Sequence, residues 1–83
     1  MKNPRILIVD DEPQIQRFLR VALSAVGYEA IAAETGAQAL KAVVANAPDV
    51  VVLDLGLPDR DGKDVLRDIR TISNVPVIIL SAR

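Results

Sequence analysis

The chain has 83 residues, 51% of them hydrophobic, and ten basic against eleven acidic side chains leave a net charge of −1. A chain this short makes one domain at most, and its near-neutral charge argues against a nucleic-acid surface on this segment. With no Cys there is no disulfide framework or thiolate metal site, and with no His there is no Ser-His-Asp triad, no His nucleophile and little zinc chemistry.

Lys2 and Arg5 precede the apolar run Ile6–Val9. That run is too short for a signal-peptide core, and no stretch approaches a membrane span, so a cytoplasmic protein with no membrane contact is expected. Arg5–Val9 predicts a first buried strand, ended by Asp10, Asp11 and Glu12. Pro13 suits the first turn of a helix, where its missing N–H costs nothing. Ile15, Phe18, Leu19, Ala22, Leu23 and Val26 follow the helical spacing and predict the inner face of a helix over Pro13–Val26. Gly27 stands where a left-handed residue closes a helix.

Tyr28–Ala32 reads as an outer strand, and Thr35-Gly-Ala-Gln38 has the spacing of a capping box that opens a second helix. Ala39, Leu40, Val43 and Val44 give that helix a small-residue inner face, and Asn46-Ala-Pro48 ends it. Val50–Asp54 is an apolar run without polar alternation that meets one acid, as in a strand buried on both faces of a parallel sheet. Gly56, Pro58, Asp59, Asp61 and Gly62 then take the chain out of the sheet. A third helix runs from Asp61 or Gly62 to Ile72, with Leu66 and Ile69 inward and Lys63, Arg67 and Arg70 in solvent. Val75–Leu80 is a fourth strand, with Pro76 tolerable only near its start.

The order βαβαβαβ implies a parallel sheet with right-handed crossovers. The most apolar strand, the third, belongs in the centre, which gives the strand order 2-1-3-4. Three strand ends then converge: Asp10 and Asp11 after the first, Asp54 after the third, Ser81 after the fourth. Clustered carboxylates repel unless a cation neutralises them or one is protonated. Oxygen ligands without His or Cys select a hard ion such as Mg²⁺. An Asp beside such an ion can act as a nucleophile and form an aspartyl phosphate, with Ser81 donating to a phosphoryl oxygen. The plainer alternatives are that Asp10 and Asp11 cap the first helix, Asp54 bonds loop amides, and Ser81 bonds local backbone.

Three segments, Ile8-Val-Asp-Asp-Glu-Pro13, Val51-Val-Leu-Asp-Leu-Gly-Leu-Pro-Asp-Arg-Asp-Gly62 and Pro76-Val-Ile-Ile-Leu-Ser-Ala-Arg83, resemble the receiver domain of bacterial two-component response regulators, of the OmpR/PhoB type. The resemblance covers the whole chain. It implies a flavodoxin-like (CheY-like) doubly wound parallel sheet and a signalling role rather than an enzyme's. It makes Asp54 the acceptor of a phosphoryl group from a sensor histidine kinase. Asp11 becomes a direct Mg²⁺ ligand, Asp10 a second acidic partner that often acts through water, and Asp54 and the Gly56 carbonyl complete the metal set. Ser81 matches the switch Ser/Thr, and Ala82 the small residue beside it.

Receiver domains continue through a further helix, strand and helix, so the resemblance implies that residues 1–83 are the N-terminal part of one. The family's Lys, at the end of its fifth strand, has no counterpart, since Lys2, Lys41 and Lys63 fall elsewhere. The whole protein is then expected to be a DNA-binding transcriptional regulator. In a four-stranded sheet the fourth strand is an apolar edge, a template for pairing with another chain. A homo-oligomer, or a partner segment completing the sheet at that strand, is therefore expected. The competing reading is a self-associating structural fragment with little or no phosphotransfer. A small Mg²⁺-dependent phosphohydrolase would need acid/base and substrate elements that so short a chain does not offer.

Overall fold

The computed structural model describes residues 3–81. The elements are β1 (Arg5–Val9), α1 (Pro13–Ala25), β2 (Glu29–Ala33), α2 (Gly36–Asn46), β3 (Val50–Asp54), α3 (Gly62–Ile72) and β4 (Val77–Ser81). All strand pairs are parallel and the order is β2-β1-β3-β4. The expected α/β fold and strand order are both present.

Local chemistry sets the ends of these elements. Gly27 adopts φ +92°, the left-handed closure expected after α1. Tyr28 N–H bonds back to the Leu23 carbonyl at 2.9 Å, so β2 begins one residue later than expected, at Glu29. Thr35 caps α2 by accepting from the Gln38 N–H at 3.1 Å. The Gln38 amide oxygen accepts from the Glu34 N–H at 2.8 Å, one residue before the partner a capping box would give it. At the start of β4, Val75 N–H is taken by the Ser73 hydroxyl at 3.0 Å and Pro76 has no N–H, so the strand starts at Val77 rather than Val75.

The sheet divides its side chains by alternation. Leu7, Val9, Val51 and Leu53 pack against Ala39 and Val43 of α2 and Val65 and Ile69 of α3 in one buried cluster. Fully burying each large aliphatic side chain there contributes about 1.5–3 kcal/mol. The other face carries α1, which lies mainly against β2. The expected inner face of α1 is only half right: Ile15, Leu19 and Leu23 are half-buried, while Phe18, Ala22 and Val26 are exposed. Phe18 is 68% exposed, Val26 is equally open, and Gln16 is the one buried residue of the helix. The helix has rolled toward β1 and β2, so its Phe18 flank overlooks the strands it does not cover. On α2, Val44 is likewise exposed, and on α3 it is Val65, with Ile69, that is buried, while Leu66 is only half-buried.

β3 and β4 pair Val52 with Ile78 and Leu53 with Ile79, but Asp54 with Ser81. β4 therefore carries one extra residue, Leu80, a bulge at the carboxyl end of the sheet. β4 is an edge strand, as expected, and Ile78 is 56% exposed. No helix among the described residues is long and apolar enough to cross a membrane.

Candidate functional site

The carboxyl ends of β1 and β3 are adjacent, which places the turns after them side by side. Asp10 continues the β1 ladder, its N–H bonding the Ala33 carbonyl at 3.0 Å. Its Oδ1 accepts from the Glu12 N–H at 2.8 Å and closes the turn before α1, whose N-cap residue, Glu12, makes no side-chain capping bond. Asp54, at the end of β3, is 0% exposed. Its Oδ1 accepts from the Gly56 N–H at 3.0 Å, which fixes the carboxylate against the loop that follows. Asp11 is exposed beside them.

Asp10, Asp11 and Asp54 each present a carboxylate oxygen within 4.8 Å of the others'. Local backbone bonds and clustering are thus compatible: one oxygen of Asp10 and one of Asp54 hold turn N–H groups while the carboxylates still converge. Burial pushes the Asp10 carboxyl above its ordinary range, the Asp54 charge adds to the rise, and the Glu12 N–H works against it. A carboxylate penalised in this way gains from any cation brought to the cluster. An all-oxygen set of three acids suits a hard divalent ion. A crevice of about 450 Å³ opens onto Asp54 between Asp10, Glu12, Ile15, Phe18, Leu19 and Leu80.

Ser81 reaches the same level through the β4 bulge, as the backbone partner of Asp54. The hydroxyl contact expected of Ser81, and the small residue Ala82, lie outside the described residues. Gly56 is in the loop at the site's edge, exposed.

That loop, Leu55–Asp61, is fastened more firmly than its turn-forming sequence suggests. At its base Gly62 N–H bonds the Leu55 carbonyl at 3.1 Å. A Cβ on Gly62 would lie 2.5 Å from Leu55 Cα, so only glycine lets α3 start this close to the chain leaving β3. At its tip Asp59 accepts from Gly36 N–H at 2.8 Å and Ala37 N–H at 3.2 Å, closing the N-terminus of α2. Those amides, the Gly36 N–H first, hold the Asp59 carboxyl below its ordinary range. Arg60 pairs with Asp68 of α3.

Sequence reasoning missed two of these features. Asp59 reads as a turn former, and nothing local shows that it reaches a helix more than twenty residues away. Gln16, buried on α1, is polar and was not singled out from the sequence, yet its signal is present: it lies in helical register with Leu19 and Leu23, the half-buried side of α1.

The response regulator receiver domain family matches residues 6–83. The chain belongs to that family. It is 56% identical over 78 residues to the transcriptional regulatory protein KdpE of Mycobacterium tuberculosis, a match covering 94% of this chain and 34% of KdpE. The receiver thus spans about a third of the length of that curated relative. Among solved structures, the N-terminal domain of a response regulator receiver protein from Methanoculleus marisnigri superposes with a TM-score of 0.90 at 36% identity, over 95% of this chain and 67% of that one. A complex of the histidine kinase ThkA with the response regulator protein TrrA matches with a TM-score of 0.88 at 41% identity, covering 99% of this receiver and 70% of the matched chain. The receiver is a signalling module with an acidic cluster at the carboxyl ends of its strands, the region where open α/β sheets bind ligands.

Proposed function

We propose that this receiver accepts a phosphoryl group on Asp54 from the phosphohistidine of a sensor kinase, with Mg²⁺ held by Asp10, Asp11, Asp54 and the Gly56 carbonyl. The observation that carries this is the convergence of three carboxylates on a buried Asp54 at the floor of an open crevice. Mg²⁺, when bound, offsets charge on the phosphoryl oxygens. A carboxylate oxygen of Asp54 attacks phosphorus, the P–N bond breaks, and the electron pair leaves with the imidazole. Asp54 becomes an acyl phosphate. The Gly56 N–H keeps the Asp54 carboxylate from swinging during the attack, and Ile15, Phe18, Leu19 and Leu80 line the apolar side of the open crevice through which a donor would reach it. Ser81 is assigned the contact to a phosphoryl oxygen. We place the receiver in the cytoplasm, as part of a DNA-binding transcriptional regulator of which residues 1–83 form the N-terminal part of the receiver domain. The DNA contacts lie outside this segment.

A second reading concerns association. The exposed aliphatic side chains of edge strand β4, Ile78 to Leu80, favour pairing there with a second copy or with a segment that extends the sheet. One sample addresses both. With a small phosphodonor and Mg²⁺, intact mass should rise by one phosphate in the parent and not in Asp54→Ala. Uptake by Asp54→Ala at the parent's rate would move the acceptor elsewhere. Light scattering should show more than a monomer at micromolar concentration, and a monodisperse monomer would refute association through β4.

A further inference from the structure

We infer that Gln16 is a positioning residue for the acid cluster, holding the backbone of Asp10 where its carboxylate meets those of Asp11 and Asp54. The inference rests on the Mg²⁺ reading above and adds a residue from outside the ligand set. Gln16 lies on the second turn of α1 and is 7% exposed. Its Nε2 donates to the carbonyls of Ile8 at 2.9 Å, Asp10 at 3.0 Å and Ala33 at 3.0 Å. Ala33 also accepts from Asp10 N–H at 3.0 Å. One amide thus binds the end of β1, the end of β2 and the first acid into a single knot.

A helix that needs only to be docked would bury an aliphatic residue at this position. Here the buried place is given to an amide whose donors all go to Asp10 or to the strand ends beside it. The donors are shared, since an NH₂ has two hydrogens for three carbonyls. The Oε1 has no partner among the described residues, although it is buried. A site that tolerates an unsatisfied acceptor to keep these donors is using the donors. They fix the Asp10 carbonyl, its N–H is fixed by Ala33, and its Oδ1 by Glu12, so its carboxylate has one direction left. A metal ligand held through its own backbone in this way depends on that hold. Loss of a group that orients a ligand typically weakens binding about 10- to 100-fold.

The test is Gln16→Met, which keeps the volume and removes the donors. Mg²⁺ titration followed by backbone amide shifts should show affinity falling by about 10- to 100-fold. In metal-free protein the Glu12 amide, which bonds Asp10 Oδ1, should exchange its hydrogen faster. Val43→Ala, on the opposite face of the sheet, is the control for lost stability and should bind Mg²⁺ like the parent. Gln16→Lys offers three donors to the three carbonyls and should restore Glu12 protection, whatever its charge does to cation affinity. Parent-like Mg²⁺ affinity in Gln16→Met, or an equal loss in Val43→Ala, overturns the positioning role. Should the parent bind no Mg²⁺, the metal reading itself falls. Glu12 exchange then judges Gln16 alone: unchanged protection in Gln16→Met, or none restored by Gln16→Lys, overturns it.

Discussion

The two faces of this sheet are built from the same strands yet closed in opposite ways. On the α2/α3 face the row Leu7, Val51, Val77 runs from fully buried to half-buried, beneath Val65 and Ile69. On the α1 face the neighbouring row Ile8, Val52, Ile78 goes from fully buried to mostly exposed. The first face is held by aliphatic packing. The second is held at β1 and β2 by a buried amide, and its remaining surface stays open. The difference teaches where rigidity and access come from. Asp54 is anchored by a packed core behind it, while the crevice leading to it opens on the side that packing leaves incomplete.

The largest expected effect is on the packed face. Ile69→Ala should cost about 2–5 kcal/mol in chemical denaturation, the range for emptying a filled core position. A loss under 1 kcal/mol would mean that the two faces are closed alike.

A smaller effect is expected at the junction of the faces. In the folded state burial raises the Asp10 carboxyl, so between the ordinary carboxylate range and that raised value the native state binds more protons than the unfolded chain. Stability without divalent ions should then fall as pH rises through that window and stay low above it. Asp10→Asn keeps the Oδ1 that accepts from Glu12 N–H but cannot ionise. It should flatten the fall and exceed the parent in stability above the window. Identical pH profiles for parent and variant would contradict the assigned cause.

The smallest effect belongs to the open face. Phe18→Ala removes a side chain that is 68% exposed and should change stability by no more than about 0.5 kcal/mol. A loss near that of Ile69→Ala, measured in the same denaturation series, would show that the α1 face is covered in solution.

Much of this was legible in the chain itself. Unalternating runs at Ile6–Val9 and Val50–Leu53 mark strands buried on both sides, and Pro13, Gly27 and Thr35 punctuate the helices where the structure does. The convergence of Asp10, Asp11 and Asp54 followed from strand order alone. The orientation of α1 followed only in part, since Ile15, Leu19 and Leu23 turn inward and Phe18 and Val26 do not. Its apolar residues span more of the helix than one face can bury, and the choice fell to hydrogen bonds from Gln16 to carbonyls of other elements, which no periodicity records. The Asp59 bonds to α2 were hidden for the same reason: a side chain that closes a distant helix looks locally like any turn acid.

The extra residue in β4 makes that strand sensitive to counting. Without it, an aliphatic Leu80 would stand level with Asp54. With it, the hydroxyl-bearing Ser81 takes that rank. Exchange of one aliphatic residue for another among Val77 to Ile79 leaves this arithmetic untouched. Deleting one residue forces a choice: either the strand loses its bulge, or Ser81 slips out of rank with Asp54.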